Sequence, residues 1–225
     1  MSSVHVQEWG SGDRVAVLIH GLGNSRDSWW QVGPALADEG YRVLAVDLPG
    51  HGKSAPLQRY TVDALAQAVI DSVPERPDLV VGHSLGGLVL AAAVDTLLPG
   101  RAVYVDPAWR IDSAPVPQFA AQKEWALADL EQAYPHWNPE SRNRKLAALA
   151  DWDTRILEDL PNFVVPDPDK AIVPSLVLLA DPSSLIPAER AEQLRADGFD
   201  VVTVAGTGHT VHLDDVDAFL AALRA

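Results

Sequence analysis

Val81-Gly82-His83-Ser84-Leu85-Gly86-Gly87 reads G-x-S-x-G, with apolar residues 79–81 before it and a second apolar run, 88–94, after it. The flanks decide its meaning, because the pattern carries chemistry only where a strand enters it and a helix leaves it. Both flanks comply. At such a turn the serine occupies a strained backbone conformation, and glycines two residues to either side let the chain segments pass without a Cβ clash. Ser84 is thereby lifted above the sheet. The first N–H groups of the following helix, Leu85 foremost, face the same spot and can hold a developing negative charge. The alternative is a plain tight turn in which Ser84 caps the helix.

Upstream, Val15-Ala16-Val17-Leu18-Ile19 is apolar on both faces, as a central parallel strand is. It runs into His20-Gly21-Leu22-Gly23-Asn24, whose glycines permit a turn with N–H groups aimed at the carboxyl edge of the sheet. Leu22 N–H is the expected partner of Leu85 N–H in an oxyanion hole. Residues 4–9 read as an edge strand, 29–40 as a helix ended by glycine, and 41–47 as the next strand. In the glycine-rich loop that follows, Asp47 and His51 read as scaffold hydrogen-bonders, and Gly52-Lys53-Ser54 lacks the spacing of a P-loop. Thr61 caps a helix running to about residue 73.

Downstream of the serine helix, 101–106, 173–180 and 199–205 read as strands, with helices at 188–197 and 216–223. This alternation predicts an α/β fold, a mostly parallel sheet of about seven strands with helices on both faces that binds its ligand at the carboxyl ends of the strands. His20, Asp47, Ser84, Asp106 and Asp181 all fall at strand ends and share that edge. His209 follows the last strand in a glycine-rich loop.

The alternation stops between 108 and 171, after the strand ending at Asp106. This segment is helical in character, at 118–133 and 141–160, and carries Trp109, Trp125, Trp137 and Trp152, four of the seven tryptophans. An insertion at the carboxyl edge reads as a lid, so the expected organisation is a core of 1–107 and 172–225 with a lid of 108–171 in one domain. A lid presents apolar surface downwards, which makes the four tryptophans candidate substrate contacts, although any single one is more commonly core.

The bulk numbers exclude several classes. A hydrophobic content of 48% over 225 residues supports one sizeable core, and no cysteine is present for a disulfide, a thiolate nucleophile or a cysteine-ligated metal. The 17 basic and 31 acidic residues give a net charge of −14, which opposes nucleic acid and anionic lipid as partners. It also disfavours strongly anionic substrates unless the pocket is locally positive. Residues 1–7 show neither a basic nor an apolar leader pattern, and no stretch approaches the ~18 apolar residues of a membrane span. The expectation is a cytoplasmic protein acting on a small-molecule substrate, without metal or cofactor.

Taken together, His20-Gly21-Leu22-Gly23, the 47–54 loop, Gly82-His83-Ser84-Leu85-Gly86-Gly87 and Gly208-His209 resemble, in order, motifs of the α/β-hydrolase family. The chain looks like a small lidded serine hydrolase of that family. The resemblance implies hydrolysis of a small, apolar ester or lactone by Ser84 through an acyl-enzyme, with His209 as the base. His212 is the rival histidine, but the family places its base directly after the loop glycine. A ligand receptor on this fold with weak turnover remains an alternative. So do same-fold enzymes of other chemistry, namely C–C hydrolases, hydroxynitrile lyases and perhydrolases.

The acid is the open member of the triad. Family members commonly carry it after the strand preceding the final one, four residues before a proline, where this chain has Ser183. Others carry it at the end of the strand after the nucleophile helix, where Asp106 stands. Asp106 is the first choice, Asp181 the second, and a lid carboxylate such as Asp151 or Asp153 the remainder.

Overall fold

The computed structural model describes residues 4–109, 116–166 and 168–225. Residues 1–3, part of the leader reading, and positions 110–115 and 167 of the expected lid lie outside the described residues. In chain order the elements are β1 Val6–Trp9, β2 Arg14–Ile19, α1 Val32–Asp38, β3 Tyr41–Val46, α2 Val62–Ile70, β4 Leu79–His83, α3 Leu85–Leu97 and β5 Arg101–Val105. An inserted segment follows with α4 Val116–Ala121, α5 Leu127–Ala133, α6 Pro139–Asp151 and α7 Ile156–Asp159. The sheet then resumes with β6 Ser175–Leu179, α8 Ala188–Ala196, β7 Asp200–Thr203, α9 Val211–Asp214 and α10 Val216–Arg224.

The seven strands lie in the order β1-β3-β2-β4-β5-β6-β7, with β1 antiparallel to β3 and every other pair parallel. After β2 the chain steps outward to β3, then returns to place β4 on the other side of β2. That reversal opens a crevice beyond the carboxyl ends of β2 and β4, where ligands of open α/β sheets bind.

Side chains alternate across the pleat, so each strand feeds two cores. Val17, Ile19, Val80, Ala102 and Tyr104 pack against α2, α3 and α8, whereas Ala16, Leu18, Val81, Val103 and Val105 pack against Trp29, α1 and α10. This explains why β2, β4 and β5 are apolar at consecutive positions. In α2 the buried Val62, Leu65, Ala66 and Val69 recur at helical spacing, and the Thr61 hydroxyl accepts from Ala64 N–H at 3.1 Å to start the helix.

The inserted segment departs from the sequence reading, because its two long helices are each broken. The helix expected at 118–133 is split into α4, a 3-10 turn and α5, since the Asp129 carboxylate accepts from Ala126 N–H at 2.8 Å and starts a new helix there. The helix expected at 141–160 begins earlier, at Pro139 behind the cap Asn138, and stops at Asp151. Lys123 terminates it, its ammonium donating to the carbonyls of Leu149, Ala150 and Trp152 at 2.7–2.8 Å. Beyond the break Asp153 N–H donates to Gly50 O at 2.8 Å, tying the segment to the loop after β3. Likewise the helix expected from 29 starts only at Val32, because Arg26–Trp29 forms a 3-10 turn capped by Ser25. Among the described residues, no helix is long and apolar enough to cross a membrane.

Candidate active site

Ser84 joins β4 to α3 with φ +52° and ψ −114°, a region that non-glycine residues rarely enter. The surroundings hold it there. Ser84 N–H donates to Val105 O at 2.9 Å, while Ser84 O accepts from Gly87, Leu88 and Ala108 N–H at 2.9–3.2 Å. A Cβ at Gly82 would come within 2.3 Å of Gly86 O, and one at Gly86 within 2.3 Å of Ile19 O. Both glycines are thus imposed by close approach of backbone.

Ser84 stands at the N-cap position of α3, yet its hydroxyl makes no cap bond. Its Oγ lies instead 3.0 Å from His209 Nε2, and His209 Nδ1 lies 2.7 Å from Asp106 Oδ2. Asp106 is fully buried at the end of β5, where its second oxygen accepts from Ala180 N–H at 3.3 Å. With Nδ1 donating to the carboxylate, Nε2 is left as an acceptor towards the hydroxyl.

Asp181 does not reach His209. Its carboxylate accepts from Gly206 N–H at 3.3 Å, and its own N–H donates to Thr207 O at 2.8 Å, so it braces the loop that carries the histidine. Of the other two acid candidates, Asp151 ends α6, and Asp153 binds the Tyr60 hydroxyl at 2.6 Å and Arg155. Asp214 adds a second brace to the histidine loop, accepting from Gly208 N–H at 2.7 Å.

His83, which the sequence reading passed over, also positions the base. It is buried, and its Nε2–H donates to His209 O at 2.9 Å. Burial first, then the neighbouring His209 and His212, hold its pKa well below the usual histidine value, so the ring stays neutral. The rival base, His212, stacks on Trp29 with ring centroids 4.1 Å apart and has no hydrogen-bond partner on either nitrogen. Burial pushes its pKa down to about 3.

His212 gives a pH prediction. The unfolded chain takes up this proton near pH 6.5 and the folded one only near 3, so stability falls as pH drops through that window, by about 1.4 kcal/mol per unit for one group. Urea unfolding of His212→Phe at pH 7 and pH 4.5 is expected to show a smaller acid loss than the parent. Equal losses would remove His212 from the account.

Asp47 and His51 are scaffold. The fully buried Asp47 carboxylate pairs with the Arg26 guanidinium and accepts from Arg26 N–H at 2.8 Å and Lys53 N–H at 3.0 Å. His51 Nε2 accepts from Gly23 N–H at 3.2 Å, and His20 Nε2 from Leu48 N–H at 3.0 Å, which locks the loop after β2 to the loop after β3. Removing one partner of a buried pair leaves the other charge unanswered, so Asp47→Ala is expected to cost about 3–5 kcal/mol in urea unfolding. A loss under about 1 kcal/mol would show that the pair is not a structural clasp.

A cavity of about 330 Å³ opens beside Ser84, within the size range of small-ligand sites. Leu22, Asn24, His83, Leu85 and His209 line it from the core, and Phe119, Tyr134, Trp137, Lys145, Trp152 and Leu160 from the inserted segment. Leu22 and Leu85 therefore share the cavity with Ser84, and Leu85 is the first residue of α3, where N–H groups have no intrahelical acceptor. Two of the four candidate tryptophans, Trp137 and Trp152, face it. The other two do not: Trp109 is buried between Tyr104 and Phe199, and Trp125 packs on Tyr134. Their apolar surface is used in core packing, which the sequence pattern does not separate from ligand contact. Among the described residues, no cluster of three or more His, Asp or Glu is placed to hold a metal ion.

A serine on a positive-φ strand-to-helix turn, bonded through an imidazole to a buried carboxylate at the crevice of a mostly parallel sheet, defines the architecture of the α/β-hydrolases. Residues 16–222 match the model of the Alpha/beta hydrolase family, and the chain belongs to that family. It is 38% identical over 109 residues to a pimeloyl-[acyl-carrier protein] methyl ester esterase of Vibrio cholerae, a match covering 48% of this chain and 40% of that protein. It is also 39% identical over 101 residues to a 2-hydroxy-6-oxononadienedioate/2-hydroxy-6-oxononatrienedioate hydrolase of a Pseudomonas species, covering 41% of this chain and 36% of the relative. The chain thus spans about half the length, or less, of these curated relatives. The crystal structure of an N-formylmaleamic acid deformylase from Pseudomonas putida S16 superposes with a TM-score of 0.83 over 99% of this chain and 96% of that one. At 19% identity that likeness shows the fold alone.

Proposed function

We propose that the protein is a serine hydrolase that cleaves a small carboxylic ester or lactone through an acyl-enzyme. The observation that carries this reading is the continuous path from Ser84 Oγ to His209 Nε2, 3.0 Å, and from His209 Nδ1 to Asp106, 2.7 Å, at the wall of the cavity. A serine hydroxyl is too weak a nucleophile at its own pKa, and an acceptor nitrogen at this distance takes its proton as the carbonyl is attacked. Asp106, buried beside Nδ1–H, keeps the ring in the tautomer that can do so and stabilises the imidazolium that forms. The carbonyl oxygen becomes negative in the tetrahedral intermediate, and the N–H groups of Leu22 and Leu85 are the donors assigned to it. His209 then returns the proton to the leaving alkoxide, and water repeats the cycle on the acyl-enzyme.

The inserted segment acts as the lid in this reading, since it contributes Phe119, Trp137, Trp152 and Leu160 to the cavity. A largely apolar wall over the site selects small substrates by fit, while its opening leaves water a route to the acyl-enzyme. The esterase relatives lend support to ester cleavage. The test is rapid mixing with p-nitrophenyl butyrate followed by intact-mass measurement of the quenched protein. A burst of p-nitrophenol, with a mass increase of one butyryl group on Ser84, is expected. Turnover with no adduct, even in protein quenched within the first turnover, would count against the covalent route.

A further inference from the structure

Among the described residues, one ammonium group lines the cavity. Lys145 lies on α6, at the end of the polar run 140–145, yet it is only 5% exposed and lines the cavity. Its Nζ donates to Gly23 O at 2.9 Å. An ammonium has three donors, and among the described residues no carboxylate forms an ion pair with this one and none lines the cavity. Burial alone pushes its pKa down to about 7.

An unanswered buried ammonium costs free energy that an apolar side chain of similar length, packed on the same loop, would avoid. The bond to Gly23 O uses one of the three donors of Lys145. Of the surrounding titratable groups, His20 and His83 at the ends of β2 and β4 and His51 in the loop after β3 have their pKa values lowered by burial, and Tyr134 on α5 has its value raised; the nearby carboxylates are bonded elsewhere, Asp27 to Arg144, Asp47 to Arg26 and Asp214 to Trp137 Nε1–H. These histidines and Tyr134 are neutral at pH 7. In a chain of net charge −14, Lys145 gives this cavity a cationic group whenever it holds its proton.

The position of the charge is also informative. Gly23, which anchors Lys145, directly follows Leu22, and neighbouring Cα atoms are ~3.8 Å apart. An anion paired with Lys145 therefore sits a short distance from the carbonyl held by Leu22 N–H. We propose that Lys145 is an anion-binding subsite, and that the substrate carries a free carboxylate separated by a short carbon chain from the scissile carbonyl, as in a half-ester of a small dicarboxylic acid. The proposal deepens the serine hydrolase reading and rests on it for the location of the carbonyl.

The experiment measures binding and turnover separately. The Ser84→Ala protein is titrated calorimetrically with the monomethyl and dimethyl esters of succinate, glutarate and adipate, with and without Lys145→Met. At least one monomethyl ester is expected to bind about 10–100-fold more tightly than its dimethyl counterpart, as a charge-assisted hydrogen bond provides. Lys145→Met is expected to erase that difference. The advantage is greatest below pH 7, where the ammonium holds its proton, and shrinks as pH rises to 9. In the Ser84 enzyme the ratio of kcat/KM for the monoester over the diester is expected to follow the same pattern.

Equal binding of both esters to Ser84→Ala would overturn the proposal without using any variant of Lys145. So would a Lys145→Met protein with a lowered Tm and an unchanged ratio, because the lysine would then be only an anchor for α6. Ser84-dependent turnover of diesters without a monoester preference leaves the hydrolase reading standing and removes the subsite. Lys145-dependent binding of half-esters with no turnover of any ester does the reverse.

Discussion

Ser84→Ala is expected to lower kcat for p-nitrophenyl butyrate by about 10⁶, the scale on which removal of the nucleophile acts in serine hydrolases. The size follows from the mechanism, since among the described residues Ser84 Oγ is the hydroxyl that donates to His209 Nε2. The fold should be indifferent to the change. Ser84 Oγ makes no cap bond, the backbone bonds to Val105, Gly87, Leu88 and Ala108 do not involve the side chain, and alanine is no worse than serine at φ +52°. Thermal unfolding is expected to agree with the parent within about 0.5 kcal/mol. Residual kcat above about one hundredth of the parent value, in protein free of the unmutated form, would remove Ser84 from the nucleophile role.

The second large effect separates the two acid candidates. Asp106→Asn keeps the shape of the side chain but replaces a pure acceptor with a group that also donates, favouring the wrong tautomer of His209. A fall in kcat of about 10⁴ is expected. Asp181→Asn touches only the Gly206 N–H at 3.3 Å through its side chain, and an amide oxygen can accept that bond equally well. Less than a tenfold change is expected there, roughly 1 kcal/mol on the barrier. Both variants are assayed between pH 6 and 9 so that a shift in the base's titration is not mistaken for a loss of rate. A large loss at Asp181 with little change at Asp106 would reverse the assignment and require the β7–α9 loop to move during turnover.

Much of the architecture was legible because it is written in short-range pattern. Consecutive apolar residues at 15–19 and 102–105 mark strands buried on both faces, and the spacing of Gly82, Ser84 and Gly86 is a local steric requirement of one strand-to-helix turn. The inserted segment was less legible, since its breaks depend on long-range partners. Lys123 ends α6 from the 3-10 turn before α5, and Asp153 stops the chain against Gly50 on a different loop.

The site divides along the same line. By itself, the sequence determined an α/β sheet of about seven strands, the strained turn at Ser84, and the placement of Ser84, Asp106, Asp181 and His209 at one sheet edge, because each of these follows from local periodicity and turn chemistry. Only the tertiary structure decided which carboxylate meets His209, which tryptophans face the cavity, and that Lys145 is buried there with no ion-pair partner among the described residues. The physical reason is that these are distances between residues far apart in the chain. Asp106 and Asp181 both precede proline at strand ends and look alike locally, but β5 lies beside β4 in the sheet and β6 is one strand further from Ser84. Strand order, set by how the two cores pack on either face of the sheet, brings the His209 imidazole against Asp106.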